Sequence, residues 1–386
     1  MKKLYICKKN SHTFKKMKIV VAIDSFKGCL TSAEAASSAA EGIRKVFPDA
    51  DVLTVKVSDG GEGFLDAVHT AIGGELVAVP VSDPLGRTVV ARYLLKERLA
   101  IIEIAQASGL TLLSETEHNP LVATSYGTGQ LVADAVGRGA EEVIIGLGGS
   151  ATSDAGEGML QALIDAFSRQ HDDNQTIPCQ WDGMDALANV RFTIATDVNN
   201  PLYGQWGAAH VFAPQKGATP QMVTLLDERA KTFAEISARH FGYDCSNAAG
   251  AGAAGGLGYA FMQYLHAACR PGIEMLLDTI HFTQLVKDAD LVITGEGAAD
   301  RQTLMGKLPM GILGHAEGIP VCLIAGRIND KERLLQAGFA RVECINPPGI
   351  STEEAMKKAT AQENISQTVS RMVREILSTS PSTGFK

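Results

Sequence analysis

The sequence lacks the features that mark several function classes. No uninterrupted apolar run approaches the roughly 20 residues of a bilayer-spanning helix, which excludes a transmembrane helix. Positive charge is not in excess: 35 Lys and Arg stand against 43 Asp and Glu, a net charge of −8. Such a balance offers no basic face for nucleic acid, so any phosphate recognised belongs to a small ligand held locally. The seven cysteines (Cys7, Cys29, Cys179, Cys245, Cys269, Cys322 and Cys344) are odd in number, scattered and free of C-x-x-C. They read as small buried hydrophobes in a reducing, cytoplasmic compartment rather than as a disulfide frame or zinc site. No G-x-x-x-x-G-K-[ST] occurs, nor H-E-x-x-H, G-x-S-x-G or the protein-kinase set, which removes P-loop, zincin, hydrolase-elbow and protein-kinase chemistry. "GAGAAG" (residues 250 to 255) matches G-x-G-x-x-G, but it follows "YDCSNAA" instead of a strand and reads as a loop opening a helix.

What remains is a chain of 386 residues with 45% hydrophobic and 20% charged residues, ordinary for a globular protein and long enough for two or three domains of about 100–200 residues. Residues 1–16, "MKKLYICKKNSHTFKK", are basic and lack a signal peptide's apolar stretch. They are expected to be a disordered extension, with the domain beginning at Met17. From there strand-like runs alternate with helical patterns. "IVVAI" precedes "TSAEAASSAAEGIRKVF", in which Thr31 and Glu34 have capping-box spacing and Ala35, Ala36, Ala39, Ile43 and Phe47 form a stripe. "DVLTVKV" and "FLDAVHTAIGG" repeat the pattern, which argues a parallel sheet. Close-spaced strand signals at 81 to 105 suggest an antiparallel element or a domain change. The expected fold is two α/β domains: a Rossmann- or flavodoxin-like parallel-sheet domain of residues 17–80 and 281–386, with a second α/β domain, residues 81–280, inserted.

Glycine-rich or acidic stretches recur after the apolar runs: "DSFKG" (24–28), "SDGGEG" (58–63), "GGSATSDAG" (148–156), "TDVNNPL" (196–202) and "TGEGAAD" (294–300). In open parallel sheets, ligands bind beyond the carboxyl ends of strands, where glycine lets backbone N–H groups approach a phosphate. One such loop alone is ordinary turn and cap chemistry; the repetition argues a site. Asp24, Asp59, Glu62, Asp154, Asp197, Glu296 and Asp300 sit in or beside these loops. Carboxylates beside a polyphosphate require an intervening divalent cation or a proton-accepting role, which points to Mg²⁺-dependent phosphoryl chemistry. Lys27 and Lys307, lodged next to glycines, are the candidate cations. Residue types and spacing thus lead to a small-molecule phosphotransferase or nucleotide binder. A hydroxyacid oxidoreductase, a small-acid phosphatase and a non-catalytic sensor stay open beside it.

The collection "AIDSFKGCLTSAEAA", "SDGGEG", "GLGGSATSDAG", "TDVNNPL", "GAGAAGGLG" and "TGEG" followed by "QTLMGKLP" resembles, in this order, the bacterial glycerate kinases that are unrelated to sugar or protein kinases. The resemblance runs from Met17 to about residue 375. It implies two α/β domains with the active site in the cleft between them, and transfer of the γ-phosphate of ATP to D-glycerate, giving 2-phosphoglycerate. A 3-phosphoglycerate-forming enzyme or a kinase of another small hydroxyacid is the alternative. The resemblance leaves oligomeric state open, a homodimer being one option. The family commonly has an arginine after "TGEG" and a serine before "QT", where this chain has Ala298 and Arg301. On this basis Asp197, then Asp59, are the candidate base or metal ligand, with Asp154 a second metal candidate. Gly60, Gly61, Gly148, Gly149, Ser150, Thr152, Asp154, Gly295 and Gly297 are expected at ATP and its phosphates. Asp24, Ser25, Lys27, Asn199, Glu296 and Arg301 are expected at glycerate, with Lys27 and Lys307 facing its carboxylate or the γ-phosphate.

Overall fold

The run Ile19 to Ile23 is fully buried, a condition met by a parallel strand covered on both faces and not by a half-exposed one. The computed structural model describes residues 16–57, 63–168, 176–182, 184–301 and 303–379. Its strands, in chain order, are β1 (Lys18–Ile23), β2 (Asp51–Thr54), β3 (Glu75–Ser82), β4 (Thr88–Lys96), β5 (Leu99–Glu103) and β6 (Glu142–Gly146). These are followed by β7 (Arg191–Ala195), β8 (Ala268–Arg270), β9 (Leu291–Ala299), β10 (Val321–Ile328) and β11 (Arg341–Cys344). The chain divides into two compact units. Unit one runs to Val55 and takes in Leu285–Asp300 and everything from Ala316; unit two is Lys56–Gln284 with Arg301–His315.

In unit one the sheet order is β11-β10-β9-β1-β2, all parallel. Numbered within the unit, that is the flavodoxin-like order 2-1-3-4-5, whose ligand-binding switch point lies between the first and third strands, here β1 and β9. The Ser32–Val46 helix begins with the expected capping box: Thr31 Oγ1 accepts from Glu34 N, and the Glu34 carboxylate accepts from Thr31 N. Its buried Ala35, Ala36, Ala39 and Ile43 share a core with Ile365, Val369 and Val373 of the Lys358–Thr379 helix.

In unit two the order is β3-β4-β5-β6-β7-β8: β3, β4 and β5 pair antiparallel, and β5 to β8 run parallel. The antiparallel element suggested by residues 81 to 105 is therefore present. Residues 56–80, grouped by sequence with the first domain, fall in unit two, because β3 pairs along its whole length with β4. Residues 301–315 do likewise: Gly311 packs closely on Ile273 of the Gly272–Thr279 helix. The core of unit two gathers Val143, Ile145, Leu160, Leu163, Ile194, Tyr259 and Phe261, all essentially unexposed. No described helix is long and apolar enough to cross a membrane.

One loop assignment is corrected. "TGEGAA" is not a loop after β9 but part of it: Gly295 pairs with Ile23 on one side and Ile324 on the other, and the pairing with β10 continues through Ala299. A Cβ on Gly295 would lie 2.6 Å from the Ile324 carbonyl, so close strand packing explains the glycine without a ligand.

Candidate functional site

Unit two carries a cavity of ≈ 430 Å³ at the carboxyl ends of β6 and β7. Gly148, Gly149 and Ser150 line it from the loop after β6, Thr196 and Asp197 from the loop after β7, and Lys216 from the short turn Pro214–Lys216. The glycine-rich loop is held at several points. Leu147 N donates to Ala195 O, Gly149 O accepts from Leu110 N, and Ala151 N donates to Ser108 O. Farther on, Ala155 N donates to Gly255 O at 3.0 Å. Gly255 has φ +70°, and a Cβ there would lie 2.0 Å from the Thr152 carbonyl, so the "GAGAAG" glycines serve loop-on-loop packing. Gly149 differs: it is exposed, has φ +74°, and meets nothing closer than the Ala105 Cβ at 3.4 Å.

The acids divide by role. Asp154 stands behind the loop, where its Oδ2 accepts from Ser125 N (2.7 Å), Ser125 Oγ (2.8 Å) and Gly158 N (3.3 Å), and its Oδ1 from Gly156 N (3.2 Å). So many donors, close to the start of the Glu157–Phe167 helix, make it the loop's anchor. Asp197 is exposed at the cavity, with Oδ1 accepting from Gly272 N at 2.9 Å at the start of the Gly272–Thr279 helix. Ser150 is buried, and Thr152 is fully buried and does not line the cavity. Asn199 is exposed on the loop after β7.

The Lys216 ammonium is buried at 3% exposure and donates to Ser150 Oγ (2.8 Å) and the Thr152 carbonyl (2.6 Å). Burial pushes it down to about 7 against an opposing pull from Asp154. A smaller cavity of ≈ 280 Å³ borders the far end of the same loop, with Ser153, Glu157 and Arg229. Burial, and secondarily Asp154, pushes the Glu157 carboxyl up to about 7.

Unit one places a second group of expected residues at the β1/β9 switch point. Asp24 N donates to Gly295 O at 2.9 Å, and Asp24 Oδ1 accepts from Ser25 N at 2.7 Å. Lys27 is exposed at the tip of the tight turn in which Phe26 and Leu30 bond to each other, and Gly28 supplies φ +75°. Glu296 is buried in β9, and Gly297 lies near the Phe26–Lys27 backbone. Arg301 and Lys307 are exposed in unit two, Lys307 just before the Leu308–His315 helix. Asp59, Gly60, Gly61 and Glu62 lie outside the described residues.

A profile of the glycerate kinase family matches residues 19–377. The chain belongs to the glycerate kinase family. A glycerate kinase of Bacillus subtilis (strain 168) is 41% identical over 358 residues, 89% of this chain and 94% of that one. The glycerate 2-kinase of Escherichia coli (strain K12) is 40% identical over 328 residues, 81% of this chain and 86% of that one. A crystal structure of a glycerate kinase 2 from Salmonella typhimurium LT2 superposes with a TM-score of 0.76 at 38% identity, covering 94% of this chain and 99% of that one.

Within this glycerate kinase fold, Lys216 is the cavity residue that motif reasoning passed over. A signal for it existed: like Lys27 and Lys307, it adjoins a glycine, Gly217, which has φ +93°. What sequence could not supply was its burial against the loop after β6. No cluster of three or more His, Cys, Asp or Glu suited to a metal occurs among the described residues. Magnesium at a nucleotide is commonly held by one or two carboxylates plus the substrate's own phosphates, and Asp197, exposed beside the glycine-rich loop, fits that donor set; Asp154, already occupied by four donors, does not.

Proposed function

We propose that this family member is a cytoplasmic glycerate kinase that transfers the γ-phosphoryl group of ATP to D-glycerate, giving ADP and 2-phosphoglycerate. The observation that carries the reading is the family match over nearly the whole chain, and the cavity around Gly148–Ser150 and Asp197 supports it. In phosphoryl transfer the transition state is loose and spreads charge over the phosphoryl oxygens, so the protein's tasks are alignment, counter-charge and acceptance of one proton. The backbone N–H groups of Gly148 and Gly149 and the Ser150 hydroxyl are assigned to nucleotide phosphates. Asp197 is assigned to the magnesium ion, which when bound neutralises charge between the phosphates; without the ion, Asp197 is the base for the glycerate hydroxyl.

In unit one, glycerate recognition is assigned to the turn after β1, with Asp24, Ser25 and Lys27, and to Glu296; Asn199, Arg301 and Lys307 are the candidates carried by unit two. A hydroxyacid carries one carboxylate, which a lysine or arginine can pair with, and hydroxyls, which carboxylate and amide oxygens accept from. The test is ADP formation from ATP and Mg²⁺ with and without D-glycerate. Release that rises only when glycerate is added supports the kinase. Phosphate release from phosphoglycerate without ATP would indicate a phosphatase instead.

A further inference from the structure

We propose that Lys216 is the cation that receives the nucleotide's phosphates in the unit-two cavity, its Ser150 and Thr152 contacts aiming one N–H at them. This rests on the kinase reading and names the positive charge which that reading leaves unassigned at the unit-two cavity. The ammonium, the form that an anion beside it favours, has three N–H groups. Two are taken, by Ser150 Oγ and the Thr152 carbonyl, and among the described residues the third has no partner, while Lys216 is one of the residues that line the cavity.

The charge balance points the same way. A charge at 3% exposure normally has a bonded counter-charge, because desolvation of a lone ion is costly. Here both bonded acceptors are neutral, and among the described residues no carboxylate lies within ion-pair distance of the ammonium. Asp154 acts on it from behind the loop, Asp197 lines the same cavity, and the His118 backbone carbonyl packs against Gly217. An anion seated against Gly148–Ser150 completes this environment. Lys216 is fixed by the loop that binds the phosphates, whereas Lys27 and Lys307 are exposed.

The test is calorimetric binding of inorganic triphosphate and of adenosine to the wild type and to Lys216→Met, with thermal melting of both. The expected result is triphosphate affinity lowered about 10- to 100-fold, the range of one charged hydrogen bond, with adenosine affinity unchanged within about twofold. Equal loss for both ligands, an unchanged triphosphate affinity, or a wild type that binds no triphosphate overturns the proposal. Lys216→Gln keeps an amide donor for the Thr152 carbonyl while removing the charge, and it gives the same comparison if the methionine variant does not fold. These measurements do not depend on turnover. Absence of glycerate-dependent ADP formation by the wild type would therefore defeat the kinase reading separately.

Discussion

Asp197 has a structural contact that mutation can separate from the chemical role proposed for it. Its Oδ1 accepts the Gly272 N–H, and the carboxylate stands exposed at the cavity. Asp197→Asn keeps an oxygen for that bond and removes the charge, so glycerate-dependent turnover should fall at least about 100-fold with little change in melting temperature. Asp197→Ala should lose activity equally and about 1 kcal/mol of stability as well, measurable by denaturant unfolding. Wild-type turnover in Asp197→Asn would remove the residue from the chemistry. Glu157 gives a pH-dependent counterpart. Its folded pKa of about 7 lies above its unfolded value, so ionisation opposes folding; the cost is absent below pH ~4 and complete above pH ~7. Glu157→Gln should match the wild type in stability at pH 4 and exceed it at pH 8, by on the order of 3 kcal/mol. Equal stability at both pH values would contradict this. The place of Asp197 just beyond a strand was legible from sequence because it follows a strand-type run. Asp154 was legible as a loop acid, but not as an anchor, because its four donors come from Ser125, Gly156 and Gly158, and Ser125 is distant in sequence.

At the level of elements, the same residue type performs opposite tasks in the glycine-rich segments. Gly255→Ala puts a Cβ 2.0 Å from the Thr152 carbonyl at positive φ and should cost about 2–4 kcal/mol of stability, seen as a lowered melting temperature. Gly149→Ala has room for the Cβ and should cost only about 1 kcal/mol, yet weaken ATP binding by intruding where phosphate is assigned. If Gly149→Ala bound ATP normally, the phosphate assignment of this loop would fail. The alternation of runs and the capping box at Thr31 were readable, since each depends on neighbours a few residues apart. β9 was not: its extension through Ala299 depends on β1 and β10 pairing on both sides, and such pairing leaves no local mark on "TGEGAA". The short β8 likewise owes its existence to β7.

For the molecule as a whole, the two-unit division follows from strand pairing rather than from any linker in the sequence. Residues 56–80 join unit two because the β3–β4 ladder is local and long, while β9 to β11 return to β1 from across the chain. The family was legible because six motifs occur in order along the chain. Their individual roles were less so, since a glycine required by packing and one proposed to meet phosphate look alike in one dimension. The reaction proposed for this chain is phosphorylation of the glycerate 2-hydroxyl by ATP. The most direct measurement is ADP formation from ATP, Mg²⁺ and D-glycerate with the product passed to enolase, which accepts 2-phosphoglycerate and not 3-phosphoglycerate. Glycerate-dependent ADP accompanied by an enolase signal is the expected result. ADP without that signal would move the reaction to the 3-hydroxyl, and no glycerate-dependent ADP would contradict the account.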